Sequence, residues 1–409
     1  MVTNELPTWP RPHFTPGGGD VHLFYKVFGS FAEAPRLSRS KYRCSGIPES
    51  LGPYEQRPDQ HPEAFFFGMD GVFLDRLREK GNELLEAVRT APQCLVLQGT
   101  LDDPGDLNYF RDVIGVITAF LDAGGVAVFD PLILDWWTAE EWRTQIFGAE
   151  QFSPLRHVSL MRSDDEQSAH EWFHTRGMLK FGRPDLSIRG VTPELVPGVQ
   201  DLMQRFVNML ALGGVVPEGQ EVRMASLPDG WRCFHEGVLD DPDFNNVHLY
   251  IGPPRLRHLT LDLQGIELAP LLAAWKWLLT EPLQPFAMSY FGDWFLTREN
   301  GVVVMLDTVA GEVHELAPSR SSFESGLEDP ENADDWFMPD LAFASFRAGL
   351  KLEPGKCLSW KVPPVLSGEL AVDNLEVTDL AVHQHISAQI HQQTKDMPDG
   401  ATIKLVKKT

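Results

Sequence analysis

The sequence predicts an α+β fold in two domains, a mixed sheet with packed helices in the N-terminal part and a β-meander with helices in the C-terminal part. Three observations lead there. The chain has 409 residues, more than one core absorbs, because single cores stop growing near roughly 250–300 residues. Apolar residues make up 43% and charged ones 23%, which gives enough material for two packed interiors. Short strand-like runs alternate with helical periodicity as far as Leu279, and beyond it an Asn300-Gly301 turn joins two apolar runs, the signal of a tight hairpin.

Residues 1–60 are rich in Pro and Gly, with Gly17-Gly18-Gly19 and a basic stretch from Arg36 to Arg43. They read as an irregular arm or extended covering segment. Residues 61–265 read as an α+β domain and 266–409 as a second one. A helix is expected over Gly71–Thr90 from the recurrence of Val72, Phe73, Leu77, Leu84, Leu85 and Val88 near helical spacing. Gln93–Gly99 reads as a buried strand, Leu107–Ala123 as a helix capped by Asp106, and Val126–Asp130 as a second strand. That order is a crossover unit, which places its two strands parallel in one sheet. Arg156–Arg162, Glu171–Arg176 and Val247–Ile251 follow as strands, with a helix at Pro193–Ala211 and another around Leu268–Leu279. In the last part Phe291–Thr297, Val302–Leu306 and Val313–Leu316 form a three-stranded meander. Leu341–Ala348 is a short helix, and Asp379 caps a long one over Leu380–Lys395, whose Val382, Ile386 and Ile390 stand at four-residue spacing on one face.

Composition narrows the function classes. A formal net charge of −23 repels phosphate backbones, so direct nucleic-acid binding is not expected, while a basic protein partner is. Cys44, Cys94, Cys233 and Cys357 are scattered without metal or redox spacing, as suits reduced thiols in a cytoplasmic protein. The N-terminus lacks the basic start and apolar run of a secretory signal. Apolar runs such as Val113–Leu121 fall short of the roughly 20 residues a membrane span needs.

The C-terminal part resembles a known family, on Phe291-Gly292-Asp293-Trp294-Phe295, Met305-Leu306-Asp307-Thr308, Gly349-Leu350, Pro354-Gly355 and Cys357. More specific are Pro363-Pro364-Val365-Leu366-Ser367-Gly368-Glu369, Asp373-Asn374-Leu375-Glu376-Val377, Gln389-Ile390-His391 and Pro398-Asp399-Gly400. These are similar to the C-terminal domain of type VI secretion immunity proteins that neutralise a DNase effector, a pattern that usually has Gly where this chain has Ser367. The resemblance implies a non-enzymatic protein, without cofactor, whose partner is a cognate toxin. The N-terminal part resembles an uncharacterised bacterial domain family, on Asp106-Leu107-Asn108-Tyr109, Gly124-Gly125-Val126-Ala127-Val128, Asp130-Pro131, His174-Thr175-Arg176-Gly177-Met178 and Lys180-Phe181-Gly182-Arg183-Pro184-Asp185-Leu186.

The expected partner surface is the acid-rich stretch of Glu328, Asp329, Glu331, Asp334, Asp335 and Asp340 with Trp336 and Phe337, since aromatic anchors carry binding energy and surrounding charge steers encounter. Arg176, Lys180 and Arg183, flanked by Gly177 and Gly182, form a candidate anion site at a turn. One enzyme-like string exists, His170-Glu171-Trp172-Phe173-His174, which on a helix would hold zinc with Glu171 as base. A helix cap at Ser163-Asp164-Asp165-Glu166 is compatible with that, but the Trp-Phe pair favours a strand, where histidines four apart do not share one metal. His383, His385 and His391 read as polar-face residues of the last helix, and at least two of Trp136, Trp137 and Trp142 as core. Two other readings stand beside the immunity one: a zinc hydrolase built on His170, Glu171 and His174, and an adaptor that senses a ligand at Arg176 and Lys180.

Overall fold

The computed structural model describes residues 6–32, 36–165, 168–239, 244 and 247–397; Glu166 of the expected cap and Pro398-Asp399-Gly400 lie outside them. The fold is α+β and divides into two units. The first comprises the residues up to Val216 with Ala225–Leu227 and His235–Ile251; the second comprises Pro217–Met224, Pro228–Phe234 and the residues from Gly252 onward.

In the first unit the elements run β1 (Val21–Gly29), α1 (Arg39–Tyr42), β2 (Pro53–Gln56), α2 (Pro62–Phe66), α3 (Gly71–Glu79), α4 (Asn82–Arg89), β3 (Gln93–Leu101), α5 (Asn108–Asp122), β4 (Gly125–Asp130), β5 (Asp135–Thr138) and α6 (Ala139–Glu141). The sheet order is β2-β3-β1-β4-β5. β3 and β4 are both antiparallel to β1, with Tyr25 opposite Leu97 and Val27 opposite Val128. The expected crossover strands are therefore parallel but separated by a strand that the sequence reading leaves in the irregular arm.

The alternation of Val21, Leu23, Tyr25 and Val27, all buried, is that of a strand, but Lys26 interrupts the apolar pattern of a strand covered on both faces. Its buried ammonium donates to the carbonyls of Ala64 (2.7 Å), Phe65 (2.8 Å) and Phe67 (3.2 Å) at the end of α2, where a helix leaves acceptors unpaired. Residues ahead of β1 are held by backbone bonds from Leu107 N to Trp9 O, His13 N to Leu212 O and Gly19 N to Gly182 O. The single helix expected over Gly71–Thr90 is two, broken at Gly81, whose φ of 109° suits glycine.

The first unit continues with β6 (Ser159–Asp164), β7 (Glu171–Arg176), β8 (Asp185–Val191) and α7 (Val196–Ala211). The chain then enters the second unit, where β9 (Gln220–Glu221) pairs with the start of β10 (Arg232–Glu236). It returns with β11 (His248–Gly252), which pairs parallel to β8, while β7 is antiparallel to both β6 and β8.

The second unit holds α8 (Leu268–Ala273), β12 (Gln284–Met288), β13 (Trp294–Thr297), β14 (Val303–Asp307), β15 (Glu312–Ala317), α9 (Arg320–Gly326), α10 (Pro330–Phe337), α11 (Pro339–Arg347), β16 (Lys356–Trp360), β17 (Leu375–Asp379) and α12 (Leu380–Thr394). The expected meander is present with one strand more, in the order β12-β13-β14-β15. Gly301 turns the β13–β14 hairpin at φ 87°. Its core gathers Trp275, Met288, Trp294, Leu296, Val304, Leu306, Cys357 and Leu380. Asp379 caps α12 as expected, accepting from Ala381 N at 3.0 Å and Val382 N at 3.3 Å.

α12 is turned the opposite way from the sequence expectation. Val382 is 47% and Ile386 50% exposed, whereas His383, Gln384, Ala388 and His391 are buried. Polar contacts explain the inversion. Gln384 Oε1 accepts from Trp275 Nε1 and Trp294 Nε1, each at 2.8 Å, and its amide donates to Gly292 O at 2.7 Å. His383 Nδ1 lies 2.9 Å from Ser359 Oγ, and His391 Nε2 lies 3.0 Å from Thr308 O. His383 and His391 are thus internal struts and not the polar-face residues expected.

Candidate functional site

α10 is built by its own sequence. Asp329 caps it, accepting from Glu331 N at 3.0 Å, and Pro330 opens the first turn, where a missing N–H costs nothing. Four-residue spacing turns Ala333 and Phe337 inward and leaves Glu331, Asp334 and Asp335 exposed. Phe337 stacks on Phe295 with ring centroids 4.5 Å apart. Met338, at φ 46°, separates α10 from α11, and Asp340 stands exposed in the first turn of the latter.

Of the eight residues expected at the partner surface, Glu328, Asp329, Glu331, Asp334, Asp335 and Asp340 are exposed, while Phe337 is buried and belongs to the core. Trp336 is half-buried, stacked on Phe323 at 5.1 Å and close over Gly326; it packs the helix as much as it faces outward. Asp340 accepts from buried Arg232 at 2.6 Å. Burial and then the charge of Asp340 push the Asp334 carboxyl above the usual carboxylate range, against the pull of Arg232. Glu221 and Asp335 add to that field, and Arg223 forks onto Glu221 at 2.9 and 2.6 Å. The surface is therefore a carboxylate cluster threaded by two arginines. Glu221, Arg223 and Arg232 come from mid-chain and carry no sequence signal that ties them to α10.

Arg176, Lys180 and Arg183 do not make the anion site expected of them. Gly177 and Gly182 take positive φ at either end of a short turn, which draws the side chains inward. Lys180 is fully buried on Asp130. Arg183 is buried and donates to Asp103 (2.8 Å) and to the carbonyls of Gly213 and Gly214 (both 2.9 Å). The Arg176 guanidinium lies 4.1 Å over the Phe244 ring. Arg176 also donates to Phe244 O at 3.3 Å, so all three cations meet internal acceptors, and Lys180 and Arg183 tie the β4 end, the β7–β8 turn and the end of α7 together.

The His170–His174 string is strand, as its aromatic pair predicts: Glu171 to Arg176 form β7. His170 is exposed ahead of it, while His174 is buried against Trp172 at 4.1 Å, its pKa pushed down to about 4 by burial. The helical geometry that a zinc pair needs is absent from this string. Among the described residues no group of three or more His, Cys, Asp or Glu is placed to hold a metal ion, and no helix is long and apolar enough to cross a membrane. Trp136 and Trp142 are core, as expected, their indoles donating to Phe73 O (3.0 Å) and Thr118 Oγ1 (3.1 Å).

The resemblance motifs acquire physical reasons. Asp293 is buried and accepts from Ser289 Oγ (2.6 Å), Thr308 N (2.8 Å) and Thr308 Oγ1 (2.7 Å), which locks the turn before β13 to the turn after β14. Burial first, then the charge of Asp307, raise its carboxyl pKa. Gly292, at φ 86°, leaves no room for a Cβ, which would stand 2.8 Å from the His383 ring.

No curated protein matches the chain. Among solved structures, the crystal structure of Atu4351 from Agrobacterium tumefaciens is similar over 30% of this chain and 62% of that chain, at 20% identity and a TM-score of 0.21; this chain thus spans less than two thirds of that protein. Residues 317–391, which carry the acidic helix pair, the β16–β17 hairpin and most of α12, match the family model described as T6SS immunity protein Tdi1, C-terminal, and so the C-terminal part of this chain resembles that immunity family.

Proposed function

We propose that this chain is a toxin-neutralising immunity protein that binds a cognate type VI effector and blocks it through the acidic surface of α10 and α11. The observation that carries the reading is the family match over residues 317–391, within which Glu328, Asp329, Glu331, Asp334, Asp335 and Asp340 all fall. A nuclease holds its substrate with basic groups, and carboxylates fixed on a helix pair compete for those groups while the net charge of −23 speeds encounter. The protein performs no chemistry in this reading and uses no cofactor. Its four cysteines are buried and free, which supports action in the reducing cytoplasm, where an incoming toxin meets its target.

The test is co-expression with a candidate type VI effector from the same genome. Growth should be restored, and restoration should fade when Asp334→Lys, Asp335→Lys and Asp340→Lys are combined. An effector that kills equally well with the unaltered protein present overturns the proposal.

A further inference from the structure

Aliphatic side chains exposed one at a time are ordinary on any protein surface. The connection between β16 and β17 is different, because Val362 is 47%, Val365 40% and Leu370 57% exposed within nine residues. These side chains do not hang on a slack loop. The Asn374 amide donates to Val362 O (2.8 Å) and Glu369 O (2.9 Å), and its oxygen accepts from Val362 N (3.0 Å). Within that clamp Leu366 N and Gly368 N donate to Pro363 O at 2.8 and 3.1 Å, and Ser367 N to Pro364 O at 2.8 Å.

The backbone bears a cost for this shape. Ser367 takes φ 69°, a region that disfavours side-chain-bearing residues. Gly368 admits no other residue, since a Cβ there would lie 1.8 Å from Val362 O. At its root, Val372–Asn374 packs on α11, the helix that presents Asp340. Glu369 and Asp373 lie exposed in the same loop and Glu376 just after it, while Lys361, exposed at its start, donates to Asp373 O at 2.8 Å. A fixed apolar tip in a loop of net negative charge is complementary to an apolar pocket with a basic rim, and holding it rigid beforehand removes the ordering cost at binding.

We infer that the loop from Val362 to Asn374 is the apolar anchor by which the C-terminal unit seats on its effector, with Val365 and Leu370 entering a pocket whose basic rim meets Glu369 and Asp373. This inference rests on the immunity reading and adds to it a second contact beside the acidic helix pair. The partner is a protein surface, and Val365, Leu370 and Val362 are its specificity determinants on this side.

The test is calorimetric titration of the full chain with the purified effector whose toxicity this chain suppresses. Val365→Asp with Leu370→Asp should weaken binding about 30-fold or more. Val365→Ser with Leu370→Ser, the milder pair should the first fail to fold, should weaken it in the same direction at an unchanged melting temperature. Val382→Lys with Ile386→Lys, which alters exposed aliphatics elsewhere in the same unit, should bind as the unaltered chain does. Binding within twofold of the unaltered chain for both loop variants overturns the anchor and leaves the immunity reading standing. So does a loss that follows the α12 variant instead. An unaltered chain that does not bind the effector overturns both.

Discussion

At the scale of single residues, the clearest case is Ser367. It stands where the resembling family usually has Gly, and its φ of 69° gives the reason. Ser367→Gly should relieve left-handed strain and, after the entropy that glycine loses on folding, stabilise the protein by about 0.5–1 kcal/mol, read as a higher denaturant midpoint. An unchanged or lower midpoint would show that the turn carries no strain. The substitution was legible in the sequence, but its meaning was not, because φ is not written in residue identity. His383 gives a second prediction. Burial pushes its pKa down to about 4, whereas the unfolded chain protonates near about 6.5. Between those values the unfolded state binds more protons, so this contribution is complete above about pH 6.5 and is lost as pH falls toward 4, by up to roughly 3 kcal/mol. The protein with His383→Gln should lose less stability over that window in denaturant titrations at stepped pH. An identical pH slope in the two proteins would dissociate His383 from acid lability.

At the scale of elements, the instructive contrast is between α5 and α12. α5 was legible because it is apolar nearly all round, and such a helix has to be buried; its residues from Tyr109 to Leu121 are. α12 misled because its aliphatic stripe faces outward, and the inward face is chosen by Gln384, His383 and His391, whose partners on other strands and turns no local pattern announces. Gln384→Leu should therefore cost about 2–5 kcal/mol, since it leaves two buried indole N–H groups and the Gly292 carbonyl without their partner. A loss below 1 kcal/mol in chemical denaturation would mean that water replaces the amide. β1 was missed for a related reason: Lys26 satisfies three carbonyls from inside the protein, and a buried lysine reads as solvated. Lys180 is a second buried lysine, paired with Asp130, that its glycine-flanked turn presents in the sequence as part of an anion site. Removing its charge with Lys180→Met should destabilise the protein by about 3–5 kcal/mol by stranding Asp130, and adding Asp130→Leu should recover much of that. If the double substitution is no better than the single one, the pair contributes packing and not charge compensation.

At the scale of the whole molecule, the acidic balance was legible from composition, and its concentration around α10 only partly so, because Glu221 and the two arginines arrive from mid-chain. Steering by such a field acts on association more than on dissociation. Asp334→Asn with Asp335→Asn should slow association with the effector about 3–10-fold at low salt and converge with the unaltered protein at high salt, as stopped-flow mixing would show. Equal rates at low salt would place the contact elsewhere. The second unit draws Pro217–Met224 and Pro228–Phe234 from within the run of the first, and with them Arg232, which holds Asp340 at 2.6 Å, and Phe234, stacked 3.9 Å over His258. Recombination that swapped the last third of the gene alone would deliver an acidic face stripped of its counter-charges. Inheritance of a new target specificity is thus constrained to exchange both stretches together or to proceed by point mutation on the surface already present.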